Sequence, residues 1–173
     1  MFIRTYIHFV DPKTGLKTAI YETSDNSTIH NIFMNMFIHE DLEFFSISLD
    51  KYCKEKDIEV CAVKLNITPK QLFILAIYMS HSGNFNIYLK NLDIVLNTWY
   101  SNQTEFVICG DININYLENC KKRQQLDALL QTYNLIGTLS FPTCKTNASI
   151  TAIANIFITM TKNYSIPPIS MGF

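Results

Sequence analysis

The sequence predicts a layered α/β protein, and three observations carry that expectation. Leu72–Tyr78 (LFILAIY) and Thr104–Cys109 (TEFVIC) are apolar runs of strand length, as expected for strands buried on both faces. Tyr88, Leu92, Val95, Leu96 and Trp99 fall on one helical stripe between them, and Leu126, Leu129, Leu130 and Tyr133 form a second stripe after them. Strands that alternate with helices must stack in layers to bury both kinds of apolar face.

Taken in order, Phe2–Val10 and Lys17–Tyr21 each read as a strand, separated by the turn signal Asp11-Pro12-Lys13-Thr14-Gly15. Ser24–Ser27 is a polar break. From about Met36 the pattern firms. Ile58–Ile67 is β-rich and closed by Pro69, and it precedes the Leu72–Tyr78 strand. Gly83-Asn84 supplies a turn and cap for the first helix. The Thr104–Cys109 strand ends at Gly110-Asp111, and the second helix follows. Phe141-Pro142-Thr143 is a loop, and Thr151–Ile158 (TAIANIFI) is a last strand. With no repeat, linker or low-complexity stretch, one domain is expected, with residues 1–35 unassigned and residues 36–173 forming the legible part.

Composition narrows the function classes. The 173 residues are 48% hydrophobic, and 14 basic against 15 acidic side chains give a net charge of −1, which excludes disorder. The longest apolar run, Leu72–Met79, is far short of the roughly 20 residues a membrane helix needs. No basic segment followed by an apolar one opens the chain, so an intracellular protein, nuclear or cytoplasmic and not secreted, is expected. Five cysteines without a CxxC pair read as reduced thiols, and Cys61 and Cys109, inside apolar runs, as core residues. Near-neutral charge means that any contact with nucleic acid is local. The one dense basic cluster, Lys121-Lys122-Arg123, reads as the solvated first turn of a helix ahead of a phosphate-binding patch.

The chemistry concentrates in Val107-Ile108-Cys109-Gly110-Asp111-Ile112-Asn113. A buried strand delivers Asp111 and Asn113, alternate residues that would point the same way, as the chain leaves the core. Gly110 would let the backbone approach a ligand closely. A carboxylate and a carboxamide at a strand end suit hydrolysis of a phosphate ester. The carboxylate can take a proton from water or bind a divalent cation, and the amide can donate to a phosphoryl oxygen. Alone, Gly-Asp at a strand end is also an ordinary turn.

Four segments in order resemble the endonuclease/exonuclease/phosphatase superfamily, and within it the endonuclease domain of LINE-type (non-LTR) retrotransposons. IEVCAVKL resembles the strand before the helical layer, and ILAIYMSHSGNF the family's Tyr-Arg-Ser-Pro-type segment. FVICGDININY resembles its Gly-Asp-(Phe/Ile)-Asn motif, and FPTCKTNASITAIANIFI its Pro-Thr-Arg … Ile-Asp-x-Ile-Phe segment. The resemblance implies an α/β sandwich of two packed sheets flanked by helices. It implies hydrolysis of DNA phosphodiesters with a divalent cation such as Mg²⁺. By position it makes Asp111 the carboxylate that activates water, Asn113 the residue that orients that water or holds the phosphate, and Tyr78 a phosphate contact.

Departures from that pattern are equally informative. Residues 1–35 do not match the family's upstream Asn and metal-holding Glu, and Glu22 lacks their surroundings. Met79 stands where the retrotransposon branch has Arg, His81 where it has Pro, and Cys144 where it has Arg. Ala154 stands where the family has Asp, and a methyl group neither accepts a proton nor binds a cation. The chain reads Ile169-Ser170-Met171-Gly172-Phe173 where the family carries a C-terminal Ser-Asp-His. Of His8, His30, His39 and His81, only His81 falls near the site, and it reads as a surface-loop residue. Because members of a catalytic unit act together, these losses predict a degenerate, truncated member with little or no turnover. Missing strands would leave apolar faces and edges uncovered, so self-association is also expected. The other readings are an active nuclease or phosphatase using Asp111 and Asn113, and a binding module for nucleic acid or protein.

Overall fold

The computed structural model describes residues 43–67, 69–145 and 149–160, together with the backbone of three two-residue strands nearer the start of the chain. Those strands are β1 (Ile7–His8), β2 (Thr18–Ala19) and β3 (Met36–Phe37). β3 is the middle strand of this small sheet, parallel to β1 and antiparallel to β2. β1 and β2 fall inside the two strands expected from the sequence; the rest of those stretches lies outside the described residues.

The main sheet has six strands. β4 (Phe44–Ile47), β5 (Glu59–Ile67) and β6 (Lys70–Tyr78) run antiparallel to one another in that order. From β6 the chain crosses through helix α1 (Phe85–Trp99) to β7 (Thr104–Asp111), which lies parallel to β6. Helix α2 (Lys121–Thr132) and the short β8 (Leu135–Gly137) follow. β9 (Cys144–Lys145) and β10 (Ile150–Thr151) pair only with each other. The last strand, β11 (Ala154–Thr159), enters antiparallel between β7 and β8, giving the order β4-β5-β6-β7-β11-β8.

The apolar runs place the core. On one face of β5 and β6, Val60, Ala62, Phe73, Leu75 and Ile77 pack against the helices, whose Tyr88, Leu92, Val95, Leu96 and Leu126 are fully buried. These are the residues of the two helical stripes in the sequence. Fully burying such a side chain contributes about 1.5–3 kcal/mol. On the other face Val63, Leu65, Ile74 and Ala76 form a second buried cluster, so β6 is covered on both sides. Among the exposed apolar side chains are Phe44 and Phe45 of the edge strand β4, 37% and 56% exposed. An edge strand is covered by a partner on one side only.

Two expected boundaries move, each for a local reason, and the α1 cap stays where the sequence puts it. β7 continues through Gly110 and Asp111, because both neighbours pair with it to that point. Thr151–Ile158 is two strands with a break between them. There the Ala152 and Ile153 carbonyls accept the N–H groups of Tyr116 (2.9 Å) and Ile112 (3.0 Å), which ties the break to the loop after β7. α1 starts at Phe85, where the Asn84 side chain accepts from the N–H groups of Asn86 (3.0 Å) and Ile87 (3.4 Å). Asn84 is itself held by its N–H to Asp57 Oδ1. Asn84→Ala is expected to lower stability by about 1 kcal/mol, read as a shifted urea midpoint at constant slope.

Candidate functional site

Strand register assembles one row of residues across the end of the sheet. Glu59 of β5 lies opposite Tyr78 of β6, Tyr78 opposite Asp111 of β7, and Asp111 opposite Ala154 of β11. Residues opposite one another on neighbouring strands share a face. The row therefore looks away from the helices, at the carboxyl ends of the two parallel strands, where open α/β sheets offer a ligand crevice.

Asp111 is 4% exposed, and the Asn113 N–H donates to its Oδ1 at 3.1 Å. Burial pushes its carboxyl above the usual range, with that N–H pulling the other way, so Asp111 holds a proton more readily than a free carboxylate. Its backbone is pinned on the β6 side by the Met79 N–H, which donates to the Asp111 carbonyl at 3.0 Å. Simple strand alternation does not bring Asn113 to it. The strand ends at Asp111, and Asn113 sits at φ 50°, a left-handed turn that folds its N–H back onto the carboxylate. The Asn113 amide then donates from Nδ2 to the Met79 carbonyl at 2.6 Å, which holds it at the end of β6.

Gly110 has a different role from the one its position suggests. Its φ is 150°, and a Cβ there would lie 1.8 Å from the Ile77 carbonyl oxygen. The glycine thus serves close approach of β6 to β7 and not of a ligand to the chain.

Tyr78 is half-buried, and its hydroxyl is pushed up by burial and then by the charge of Asp111; a hydrogen bond with Ser80 pulls the other way and Glu59 adds last, so it stays protonated. Glu59, which the sequence reading passed over, is half-buried and raised to about 7, by burial first and by Glu55 second. Among the described residues no hydrogen bond or ion pair to its carboxyl was found. Its signal in the sequence was a carboxylate opening a strand whose next four residues, Val60–Val63, are apolar. Ala154 brings a methyl group to the row, and its N–H donates to Thr143 Oγ1 at 3.2 Å.

Other expected residues lie elsewhere. His81 is exposed in the loop after β6, and Met79 is 2% exposed within the helix-side core. Lys121, Lys122 and Arg123 form the first turn of α2. Arg123 donates to the Tyr116 carbonyl (2.7 Å) and pairs with Asp127 (3.4 Å). Burial raises the Cys61 and Cys109 thiols to about 11 and 12, which makes both unreactive. The His8 side chain, Glu22, His30, His39 and residues 161–173 lie outside the described residues. Among the described residues no group of three His, Cys, Asp or Glu could hold a metal. Asp111 supplies one buried carboxylate already engaged by an N–H, and that donor set does not make a cation shell.

No family model matches the sequence, and no curated protein matches it. Among solved structures, the fold is similar to the endonuclease domain of TRAS1, a telomere-specific non-LTR retrotransposon. The TM-score is 0.62 at 14% identity, over 84% of this chain and 66% of that one. It is similar to a humanized D. rerio TDP2 with 14 mutations (TM-score 0.54, 14% identity, 86% and 63% of the two chains). It is also similar to D. rerio TDP2 complexed with single strand DNA product (0.51, 13% identity, 86% and 64%). The chain spans just under two thirds of each of these structures. Its structural neighbours are endonuclease/exonuclease/phosphatase proteins, and at these identities the likeness establishes that fold.

Two outcomes follow from the geometry. Gly110→Ala is expected to destabilise strongly, by about 3 kcal/mol or more in urea unfolding, because the methyl meets backbone and not a yielding side chain. For Glu59 the folded value, about 7, stands above the ordinary 4.5. Stability tied to its protonated form is full below about pH 4.5 and lost as the pH rises through about 7. Glu59→Gln should therefore raise the melting temperature at pH 8 and leave it unchanged near pH 4, as read by differential scanning calorimetry.

Proposed function

We propose that this chain is a degenerate endonuclease-type phosphodiesterase domain derived from a retrotransposon. In this reading it keeps the end of the sheet that faces nucleic acid and has lost turnover. The observation that carries it is Ala154 opposite Asp111. Hydrolysis of a phosphodiester needs a base for the attacking water and a group that steadies the departing alkoxide. Asp111, raised by burial, suits the first task, with Asn113 held beside it by two hydrogen bonds. Across the row stands a methyl group, which serves neither.

In this family a divalent cation such as Mg²⁺ would supply charge neutralisation. The described residues at the Asp111 end do not fit one, so no step is assigned to it. Loss of several members of a catalytic unit is far from additive, and one carboxylate with one amide retains little of the rate. The partner proposed is a DNA strand, an assignment supported by the fold shared with the TRAS1 endonuclease domain and with a TDP2 structure holding single strand DNA product. Residues 36–173 would form the partial domain. A nuclear or cytoplasmic place suits such a partner, and no helix among the described residues is long and apolar enough to cross a membrane. Self-association would use the exposed edge at β4.

A supercoiled-plasmid assay with Mg²⁺ and Mn²⁺ tests the reading. Folded protein is expected to nick no faster than Asp111→Ala. Metal-dependent nicking abolished by Asp111→Ala would overturn it in favour of an active nuclease built on Asp111 and Asn113.

A further inference from the structure

Away from the Asp111 end, the β4 edge of the sheet carries a second set of groups on the helix side. Phe45 of β4 lies opposite Lys64 of β5, and Lys64 opposite Phe73 of β6, so the three share the face that packs against the helices. Phe73 is buried, and its ring joins the residues above it. Trp99, at the end of α1, stacks on that ring with centroids 5.6 Å apart and an interplanar angle of 28°. The Lys64 ammonium stands 5.9 Å from the same centroid. Tyr52, in the short turn after β4, is tied to α1 by Asn91 Nδ2, which donates to its carbonyl at 2.9 Å. The Lys51 ammonium stands 4.7 Å from the Tyr52 centroid. Thr98, the residue before Trp99, does most to hold the Tyr52 hydroxyl below its ordinary value, ahead of Lys51.

These contacts make one band, Phe45, Lys64, Trp99, Tyr52 and Lys51, in which aromatic rings alternate with lysines. Phe45 is its most open ring, at 56% exposed. An ammonium that rests on an aromatic face keeps its charge for an outside anion. Among the described residues the ion pairs use Lys54, Lys70 and Arg123, and neither Lys51 nor Lys64 is paired. Two acids border the band: Glu43, just before β4, and Asp50, which accepts from the Ser48 hydroxyl at 3.0 Å. Lys64 is five residues along β5 from Glu59 and on the opposite face, roughly 16 Å away along the strand. The band and the Asp111 row are therefore separate surfaces.

We propose that this band is a stacking platform for single-stranded nucleic acid, with a base on Phe45 beside Trp99 and phosphates on Lys64 and Lys51. A nucleotide answers both parts of the band at once. Its base brings a flat, neutral ring to the open aromatic, and its phosphate brings charge to the lysines, without regard to base sequence. An apolar protein surface laid on the same band would bury two ammonium groups without partners. A duplex keeps its base faces within its own stack. The inference goes beyond the Asp111 row and needs neither a metal nor turnover. It also fits a chain whose net charge, −1, allows only local contacts with phosphate.

Decathymidylate titrated in EDTA tests it, with Trp99, the one tryptophan of the chain, reporting by fluorescence. Quenching is expected. The logarithm of the affinity should fall against that of salt with a slope of about −1.4, as two phosphate contacts on a single strand require. Lys51→Gln and Lys64→Gln should each halve that slope. Phe45→Ala should weaken binding about tenfold at an unchanged slope, the loss of one stacked base. That side chain is exposed, so the variant should keep the wild-type urea midpoint. The duplex of the same length should bind more weakly than the strand. Full affinity in Phe45→Ala, an unaltered slope in either lysine variant, or no change in Trp99 emission would each overturn the proposal. Equal quenching by polyglutamate would overturn it in favour of an acidic protein partner. Binding lost in Asp111→Ala and kept in Phe45→Ala would also overturn it, and would leave the reading of the Asp111 end as the nucleic acid surface in place.

Discussion

Burial of β6 on both faces is the constraint on which the rest depends. A strand that is apolar on alternate and intervening residues alike can be satisfied only inside a sheet with cover above and below. β6 has β5 and β7 as hydrogen-bonded neighbours and α1 and α2 on one side, and on its other side Ile74 and Ala76 are buried beside Val63 and Leu65 of β5. The parallel pairing with β7 in turn requires a crossover, which α1 provides. At the end of that pairing the two backbones come so close that only glycine fits, and the chain leaves the sheet in a left-handed turn. Asp111 and Asn113 are delivered by that exit.

The same packing sets the chemistry of the row. A carboxylate at the end of a buried strand loses water, and its proton affinity rises with the loss. Asp111, Tyr78 and Glu59 all move in that direction because they share one partly closed face. In a working phosphodiesterase, the price of burying such a charge is offset by partners that act in the reaction. Here the place opposite Asp111 holds Ala154, whose methyl group offers no such partner. The fold does not need the acid at that position: β11 pairs with β7 over five residues, and Phe157 and Asn155 are buried without it. A domain built this way can lose turnover and keep its shape.

Much of this was legible in the residues. The apolar runs located β6 and β7, the two stripes located both helices, and Gly83-Asn84 located the α1 cap. The resemblance carried Tyr78, Asp111 and Asn113 to one end of one sheet, where register places the first two side by side. What escaped was what depends on pairing. Short strands such as β8 and β9 carry too few residues for a period to be visible. The left-handed turn at Asn113 leaves no mark in a strand-like string. Glu59 opens a β-rich run that also holds Lys64 and Asn66, and only the β5–β6 pairing sets it against Tyr78.

The account turns on that register, and most of all on Ala154 lying opposite Asp111. Backbone nuclear Overhauser contacts across β6, β7 and β11 in isotope-labelled protein measure it directly. Contacts from Asp111 to Tyr78 on one side and to Ala154 on the other are the predicted result. Contacts from Asp111 to Ile153 or Asn155 in place of Ala154 would shift the strand by one residue, turn its side chains to the other face and contradict the account.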